Sequence, residues 1–312
     1  MSLARSAVPR LAPGWTLGVG RSSGMQVHKA RTSDLASVHP PIVILHGLFG
    51  SKQNWRSLSR AMTGKTFVDV HALDLRNHGE SAQAAQMDYT VMAEDVAGYL
   101  KEQGIDRAFL VGHSMGAKVV MSLALHPEAE VARRVQGLVA VDMAPRRAPL
   151  SLDFQKYLRA MQRINEARVH KASQADALLA QDVPDVGVRQ FLLTNCKRPS
   201  PTEPYTFRLP LAYLEKALPN LSDFPPAHSP HPPVYTGPAL FVRGSRSSYV
   251  NDADTREIQT YFPNADFSTM DTGHWVHAEK PVEFLETVCT FYKNMASSIS
   301  STVGEEDEVG GR

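Results

Sequence analysis

The chain has 312 residues, of which 43% are hydrophobic and 21% are charged, a composition that suits a soluble globular protein with one sizeable core. Its formal net charge of +1 does not favour a nucleic-acid partner, and no apolar run approaches the length needed to span a bilayer. The two cysteines, Cys196 and Cys289, are far apart in the sequence. They form neither a disulfide framework nor a zinc motif, and they fit a reducing compartment.

Residues 1–24 and 297–312 differ in composition from the rest of the chain. Basic residues and serines occur repeatedly before the first acidic residue, Asp34, which is typical of a mitochondrial transit segment. Pro9 and Pro13 do not suit an amphipathic helix, so a disordered extension is the alternative for residues 1–24. Residues 297–312 are serine-rich, then acidic, then glycine-rich, and this pattern predicts a disordered tail.

Short apolar runs alternate with helical patterns along most of the chain. Strands are predicted at residues 25–31, 41–45, 67–73, 108–111, 135–141, 239–242 and 267–270, the first of them a short edge strand. Helices are predicted at residues 55–62, 89–103, 117–126, 253–261 and 282–295. This alternation implies parallel strands joined by crossover helices, hence a mostly parallel α/β sheet with helices on both faces.

One region interrupts the alternation of strands and helices. This region contains no convincing core strand. Its helical patterns lie at residues 154–164, 174–179, 188–193 and 211–218. We therefore predict a helical cap, residues 146–237, inserted into a core formed by residues 25–145 and 238–296. The cap ends in a proline-rich connector that contains His228 and His231. We interpret these histidines as loop residues, with a metal site as the alternative.

The most informative motif is G-H-S-M-G at residues 112–116, because a strand pattern precedes it and a helical pattern follows it. A sharp strand-to-helix turn around a serine exposes the hydroxyl group. The glycines matter because a Cβ at either position would collide with neighbouring backbone. We therefore predict that Ser114 is a catalytic nucleophile.

A nucleophilic serine needs an imidazole to accept its proton and an acid to orient that imidazole. On a sheet of this type, the acid and then the histidine follow the serine in chain order. His274 follows the last predicted strand, and Gly273 permits a loop that projects the imidazole toward the sheet edge. His277 is the competing choice, but it lies close to the start of the last helix and is expected to pack or cap there.

The identity of the acid is open between three residues. Asp142 ends the strand before the predicted cap, and the carboxyl ends of parallel strands are where α/β proteins form their sites. The loop after residues 239–242 is another common position. Its first carboxylates are Asp252 and Asp254, which are expected to begin the next helix. We predict Asp142 as the acid, with Asp252 and then Asp254 in reserve.

Acyl transfer also needs hydrogen-bond donors for a developing oxyanion. Residues 46–50, H-G-L-F-G, directly follow an apolar strand, and their glycines let the backbone turn an amide into the site. The backbone N–H groups of Leu48 and Met115 are the predicted donors, and His46 is expected to be a structural hydrogen-bonding residue. Residues 74–81 are rich in polar groups and are interpreted as a hydrogen-bonded loop rather than a metal site.

Together these motifs resemble the α/β-hydrolase superfamily over residues 40–293. Within that superfamily they resemble the subfamily of α/β-hydrolase domain-containing protein 11, with its bacterial esterase relatives and the fungal ethanol acetyltransferases. The resemblance is carried by residues 46–50, 74–79, 112–116, 141–145 and 273–281. It implies an α/β-hydrolase fold and an acid after the strand that precedes the cap, which supports Asp142. It also implies a mitochondrial location, since most eukaryotic members are mitochondrial.

We accordingly predict a serine hydrolase that cleaves carboxylic esters or thioesters through an acyl-enzyme on Ser114, with Asp142 and His274. An alcohol O-acetyltransferase that uses acetyl-CoA and the same triad is the first alternative. A non-enzymatic fold that binds a ligand or a partner protein is an alternative of another class. The expected partner is a small-molecule acyl ester or thioester, with no cofactor or metal. The expected location is mitochondrial, with the cytoplasm as the alternative.

Overall fold

The computed structural model of this chain describes residues 24–30 and 39–309. The predicted transit segment therefore lies outside the described residues, except for Gly24. In chain order the strands are β1 (Met25–His28), β2 (Ile42–Leu45), β3 (Val70–Leu73), β4 (Ala108–His113), β5 (Val135–Val141), β6 (Cys196–Lys197), β7 (Thr206–Phe207), β8 (Ala239–Gly244) and β9 (Ala265–Met270). The helices are α1 (Arg56–Thr66), α2 (Tyr89–Glu102), α3 (Met115–Ala124), α4 (Ala129–Ala132), α5 (Asp153–Ala167), α6 (Ala172–Leu179), α7 (Val186–Leu193), α8 (Leu211–Leu221), α9 (Asp254–Tyr261), α10 (Val276–Glu279) and α11 (Pro281–Val309).

Seven strands form one central sheet in the order β1-β3-β2-β4-β5-β8-β9. All neighbouring pairs are parallel except β1 and β3, which are antiparallel. The mostly parallel sheet predicted from the sequence is confirmed, and β1 is the short edge strand expected there.

Apolar side chains cover both faces of the sheet. In β2, Val43 and Leu45 belong to one buried cluster, whereas Ile42 and Ile44 belong to the other. Successive side chains of a strand point to opposite faces, so an all-apolar strand supplies both clusters. The first cluster includes residues of α2 and α3, and the second includes residues of α1 and α11. Within the described residues, no helix combines the length and apolar character that a membrane crossing requires.

The region between β5 and β8 contains α5 to α8, which correspond to the four helices predicted there. We keep the name cap for residues 146–237. The cap also contains the hairpin of β6 and β7, which the sequence did not predict. Each of these strands has two residues, too few for an alternating pattern to be visible.

The structure corrects the prediction at the C-terminal end, because α11 continues to Val309. Residues 297–312 had been predicted as a disordered tail. Ser297 and Ser298 donate their hydroxyl groups to the carbonyl oxygens of Lys293 and Asn294, at 2.9 and 3.1 Å. These serines bond to the preceding helical turn, so a serine-rich composition does not by itself end a helix.

The turn from β4 to α3 is tight because two glycines allow close backbone contact. A Cβ on Gly112 would lie 2.2 Å from the carbonyl oxygen of Gly116, and one on Gly116 would lie 2.4 Å from that of Leu45. Ser114, between them, has a φ of +55°, in the left-handed region that serine rarely adopts. The steric role predicted for both glycines is confirmed.

We expect Gly116→Ala to lower the free energy of unfolding by about 1–3 kcal/mol, because the new methyl group forces backbone apart. Gly98 in α2 is the matched control, since a Cβ there meets no atom within 4 Å. Gly98→Ala should raise the free energy of unfolding by about 0.5–1 kcal/mol through helix propensity. Urea denaturation measures both values. A Gly116→Ala protein as stable as the wild type would contradict this account of the turn.

Candidate active site

The carboxyl ends of β4, β5, β8 and β9 lie side by side along one edge of the sheet, because these neighbouring strands run parallel. Ser114 follows β4, Asp142 follows β5, Ser247 follows β8 and His274 follows β9. Residues far apart in the sequence are thereby brought to the edge where α/β proteins form their sites.

Asp142 and His274 form a hydrogen bond, with 2.7 Å between Asp142 Oδ2 and His274 Nδ1. The Asp142 side chain is 0% exposed. Its Oδ1 accepts a hydrogen bond from the backbone N–H of Gly244 at 3.1 Å, and its Oδ2 accepts a second one from Ser247 Oγ. Three donors therefore satisfy a carboxyl group whose burial would otherwise be costly.

The hydrogen bond to Asp142 fixes the tautomer of His274. A carboxylate only accepts, so Nδ1 carries the proton, and Nε2 of the neutral ring keeps its lone pair.

Tyr249 stacks on the imidazole of His274 with 4.0 Å between ring centroids, and His113 donates from Nε2 to the carbonyl oxygen of His274 at 2.9 Å. Burial, and to a lesser extent Asp142, raises the pKa of Tyr249 to about 12, so its phenol stays neutral.

Ser114 lines the same cavity as His274 and is 7% exposed. Its backbone N–H donates to the carbonyl oxygen of Val141 at 3.0 Å, which ties the turn to the residue preceding Asp142. Its left-handed φ is a strained conformation, and such strain occurs most often at functional positions.

The two reserve acids lie in other environments. The side chain of Asp252 is 92% exposed and pairs with Arg243 at 2.6 Å. Asp254 is the first residue of α9 and pairs with Arg146 at 2.8 Å. Of the three aspartates considered from the sequence, the structure brings Asp142 into hydrogen-bond contact with His274.

The turn of residues 46–50 lies directly against the serine. A Cβ on Gly47 would be 3.2 Å from Ser114 Cβ. The Gly50 N–H donates to the Gly47 carbonyl oxygen at 2.9 Å. In the described part of the chain, neither the Leu48 N–H nor the Met115 N–H donates a hydrogen bond.

His46 and His78 support this turn as hydrogen-bonding groups. His46 Nδ1 donates to the Gly47 carbonyl oxygen at 2.8 Å, and Nε2 accepts from the Leu75 N–H at 3.0 Å. His78 Nε2 accepts from the Phe49 N–H at 3.1 Å. Burial lowers the pKa of His46, and burial together with the nearby His46 lowers the pKa of His78 to about 3. Both rings are therefore neutral, and the structural role predicted for His46 is confirmed.

His277 is buried and packs against an aromatic ring, as the sequence led us to expect. Its imidazole stacks on Trp55 with 4.2 Å between centroids and an interplanar angle of 9°. Burial lowers its pKa to about 3, with a smaller contribution from His274.

Residues 74–81 form the hydrogen-bonded loop predicted from their composition. Asp74 accepts hydrogen bonds from the Lys52 backbone N–H at 2.7 Å, from Lys52 Nζ at 2.8 Å and from the Glu80 N–H at 2.9 Å. Its carboxylate thus joins the loop to Lys52, which follows the turn of residues 46–50. The described residues contain no cluster of three side chains suited to hold a metal ion.

A cavity of about 150 Å³ lies over Ser114 and His274. Most of its wall is apolar, and α5, α7 and the loop before α10 supply much of it. The apolar lining includes Leu48, Phe154, Tyr157, Phe191, Leu192 and Trp275. An apolar wall around a few polar groups is typical of small-molecule sites.

Three residues of this region were not identified from the sequence. Ser247 donates to Asp142, Tyr249 stacks on His274, and Asn195 Nδ2 donates to the Phe49 carbonyl oxygen at 2.7 Å. The only sequence feature that pointed to Ser247 was the absence of a carboxylate from the loop directly after β8. Nothing in the sequence around Asn195 indicated its partner, which is 146 residues away.

The sheet order and the site define the class of α/β hydrolases. The family described as alpha/beta hydrolase fold matches residues 40–281, and the chain belongs to this family. The fold and the family resemblance predicted from the sequence are confirmed.

Individual relatives agree with this membership. The sn-1-specific diacylglycerol lipase ABHD11 of Xenopus laevis is 36% identical, over 88% of this chain and 88% of its own. A probable alcohol acetyltransferase of Saccharomyces cerevisiae is 37% identical, over 84% of this chain and 79% of its own. Among solved structures, a marine microorganism esterase superposes with a TM-score of 0.75 at 29% identity, over 86% of this chain and all of its own.

Proposed function

We propose that this chain is a serine hydrolase that cleaves carboxylic esters or thioesters. The observation that carries the proposal is the hydrogen bond between Asp142 and His274, because His274 lines the same cavity as Ser114 with its strained φ. Membership of the α/β-hydrolase family and the esterase and lipase relatives support it.

In the proposed mechanism, Ser114 Oγ attacks the acyl carbonyl carbon while its proton passes to Nε2 of His274. The hydrogen bond from Nδ1 to Asp142 orients the ring and stabilises the imidazolium that forms. The backbone N–H groups of Leu48 and Met115 then donate to the tetrahedral oxyanion. They carry no competing hydrogen bond in the described part of the chain, which suits this role.

Collapse of the tetrahedral intermediate breaks the bond to the leaving alcohol or thiol. The imidazolium of His274 gives its proton to that group, which leaves an acyl ester on Ser114. A water molecule then loses a proton to His274 as its oxygen attacks the acyl carbon. Collapse of this second tetrahedral intermediate breaks the bond to Ser114 Oγ, which takes the proton back from His274, and the carboxylic acid is released. The apolar cavity wall favours an apolar acyl group in this site.

The second candidate is alcohol acyl transfer, which the fungal acetyltransferase relatives favour. It uses the same acyl-enzyme, with an alcohol in place of water in the second step. The two functions differ only in whether water or an alcohol attacks the acyl carbon.

We also propose that residues 1–24 direct the protein to mitochondria, because they are basic, contain serine and lack acidic residues. A fluorescent reporter fused to residues 1–40 is expected to enter mitochondria of a eukaryotic cell. A fusion that stays in the cytosol would contradict this proposal without affecting the catalytic one.

Substitution of the proposed triad tests the catalytic assignment. Ser114→Ala should lower kcat for an activated ester by at least about 10³-fold, since it removes the nucleophile. Asp142→Asn should lower kcat by about 10⁴-fold, because it favours the wrong tautomer of His274. The kcat of Asp252→Asn should stay within about twofold of the wild-type value, because the Asp252 side chain is exposed and pairs with Arg243.

Steady-state kinetics and labelling by a fluorophosphonate probe measure these effects. Circular dichroism checks that each variant is folded. Full esterase activity in Ser114→Ala would refute the nucleophile, and a large loss in Asp252→Asn with none in Asp142→Asn would reassign the acid.

Product analysis separates the two candidate functions. With acetyl-CoA and ethanol, we expect acetate as the main product, formed at a rate that does not fall as ethanol is raised. Gas chromatography of the reaction quantifies both products. Ethyl acetate as the main product would instead assign acyl transfer.

A further inference from the structure

Asn195 links the cap directly to the turn of residues 46–50. It lies just after α7, and its Nδ2 donates to the Phe49 carbonyl oxygen at 2.7 Å. Asn195 is 6% exposed and Phe49 is 1% exposed. A buried amide-to-carbonyl hydrogen bond is costly to break, because both groups would remain without water.

The backbone on either side of Phe49 is held by different parts of the molecule. Its N–H donates to His78 Nε2 in the core, whereas its carbonyl oxygen accepts from Asn195 in the cap. Phe49 has a φ of +63°, a conformation that needs such restraints. Leu48, whose N–H is the proposed oxyanion donor, immediately precedes Phe49, so the two hydrogen bonds of Phe49 restrain the backbone next to that donor.

Asn195 is itself fixed within the cap by its backbone. Its N–H donates to the Leu192 carbonyl oxygen at 3.0 Å, and its carbonyl oxygen accepts from the Arg208 N–H at 3.1 Å. Leu192 belongs to α7 and lines the cavity. Asn195 therefore connects the cavity wall to the turn of residues 46–50, which we call the oxyanion turn.

We propose that Asn195 is a positioning residue through which the cap holds the oxyanion turn in its productive geometry. The inference rests on the proposed function, because it assigns the Leu48 N–H to a developing oxyanion. A misplaced donor weakens stabilisation of the transition state more than binding of the ground state. Loss of the Asn195 hydrogen bond should therefore lower kcat and leave KM nearly unchanged.

Asn195→Asp is the first test, because the side chains are nearly the same size. The substitution removes the N–H donor and places an acceptor against the Phe49 carbonyl oxygen. Complete loss of one oxyanion donor costs about 10²–10³-fold in kcat, so misplacement is expected to cost about 10–100-fold, with KM within about threefold. Asn195→Ala, which removes the donor without adding charge, should show a smaller loss of kcat in the same direction.

Asn220→Asp is the matched control. Asn220 lies in α8, and its Nδ2 also joins the cap to a core carbonyl oxygen, that of Met87, at 3.2 Å. This hydrogen bond does not involve residues 46–50, so kcat should stay within about twofold of the wild type. Thermal unfolding of each variant shows how far the cap and core are destabilised.

The possible results separate this inference from the proposed function. A wild type that hydrolyses esters and labels at Ser114, together with an Asn195→Asp variant of unchanged kcat, would overturn the role of Asn195 alone. Equal losses of kcat in the Asn195→Asp and Asn220→Asp variants, matching their losses of thermal stability, would also overturn it, because the effect would then be structural. A wild type that neither hydrolyses esters nor labels would overturn both proposals. If Asn195→Asp fails to fold, Asn195→Ala replaces it: a lowered kcat supports the role of Asn195, and an unchanged kcat overturns it.

Discussion

The carboxyl group of Asp142 is buried, and its hydrogen bonds constrain the arrangement of the whole site. Its donors are the Gly244 N–H, Ser247 Oγ and His274 Nδ1. Gly244 is the last residue of β8, Ser247 follows β8 and His274 follows β9, whereas Asp142 follows β5. The interaction therefore requires the three strands to be neighbours and parallel, as the observed sheet order makes them. A change in the order of these strands would leave a buried carboxyl group without partners, at a cost of several kcal/mol.

The cap is joined to the core by buried and partly buried hydrogen bonds to backbone carbonyl oxygens. Tyr89 Oη donates to the Leu221 carbonyl oxygen at 2.9 Å, and Lys118 Nζ donates to that of Asp223 at 2.8 Å. Burial lowers the pKa of Lys118 to about 8, despite the nearby Asp223. With the hydrogen bond of Asn195 to the turn of residues 46–50, these contacts join the cap to the core, and the cap also supplies part of the apolar cavity wall.

The sequence predicted the elements whose pattern is local and long enough to detect. The sequence predicted all seven strands of the central sheet, most of them from short apolar runs. The β6–β7 hairpin was missed because two residues show no periodicity, and the continuation of α11 was missed because composition was taken as a sign of disorder. Ser114 and His274 were found as candidates because motifs and chain order mark them.

The sequence by itself determined the class of fold and the sharp strand-to-helix turn around Ser114, because glycine spacing and apolar periodicity are local properties. It also predicted His274 rather than His277 as the catalytic histidine. Only the tertiary structure decided which aspartate contacts His274, since Asp142, Asp252 and Asp254 all stand at plausible positions along the chain. It also decided the partner of Asn195. Such contacts depend on how distant segments are brought together by strand order and helix packing, and one sequence carries no direct record of that proximity.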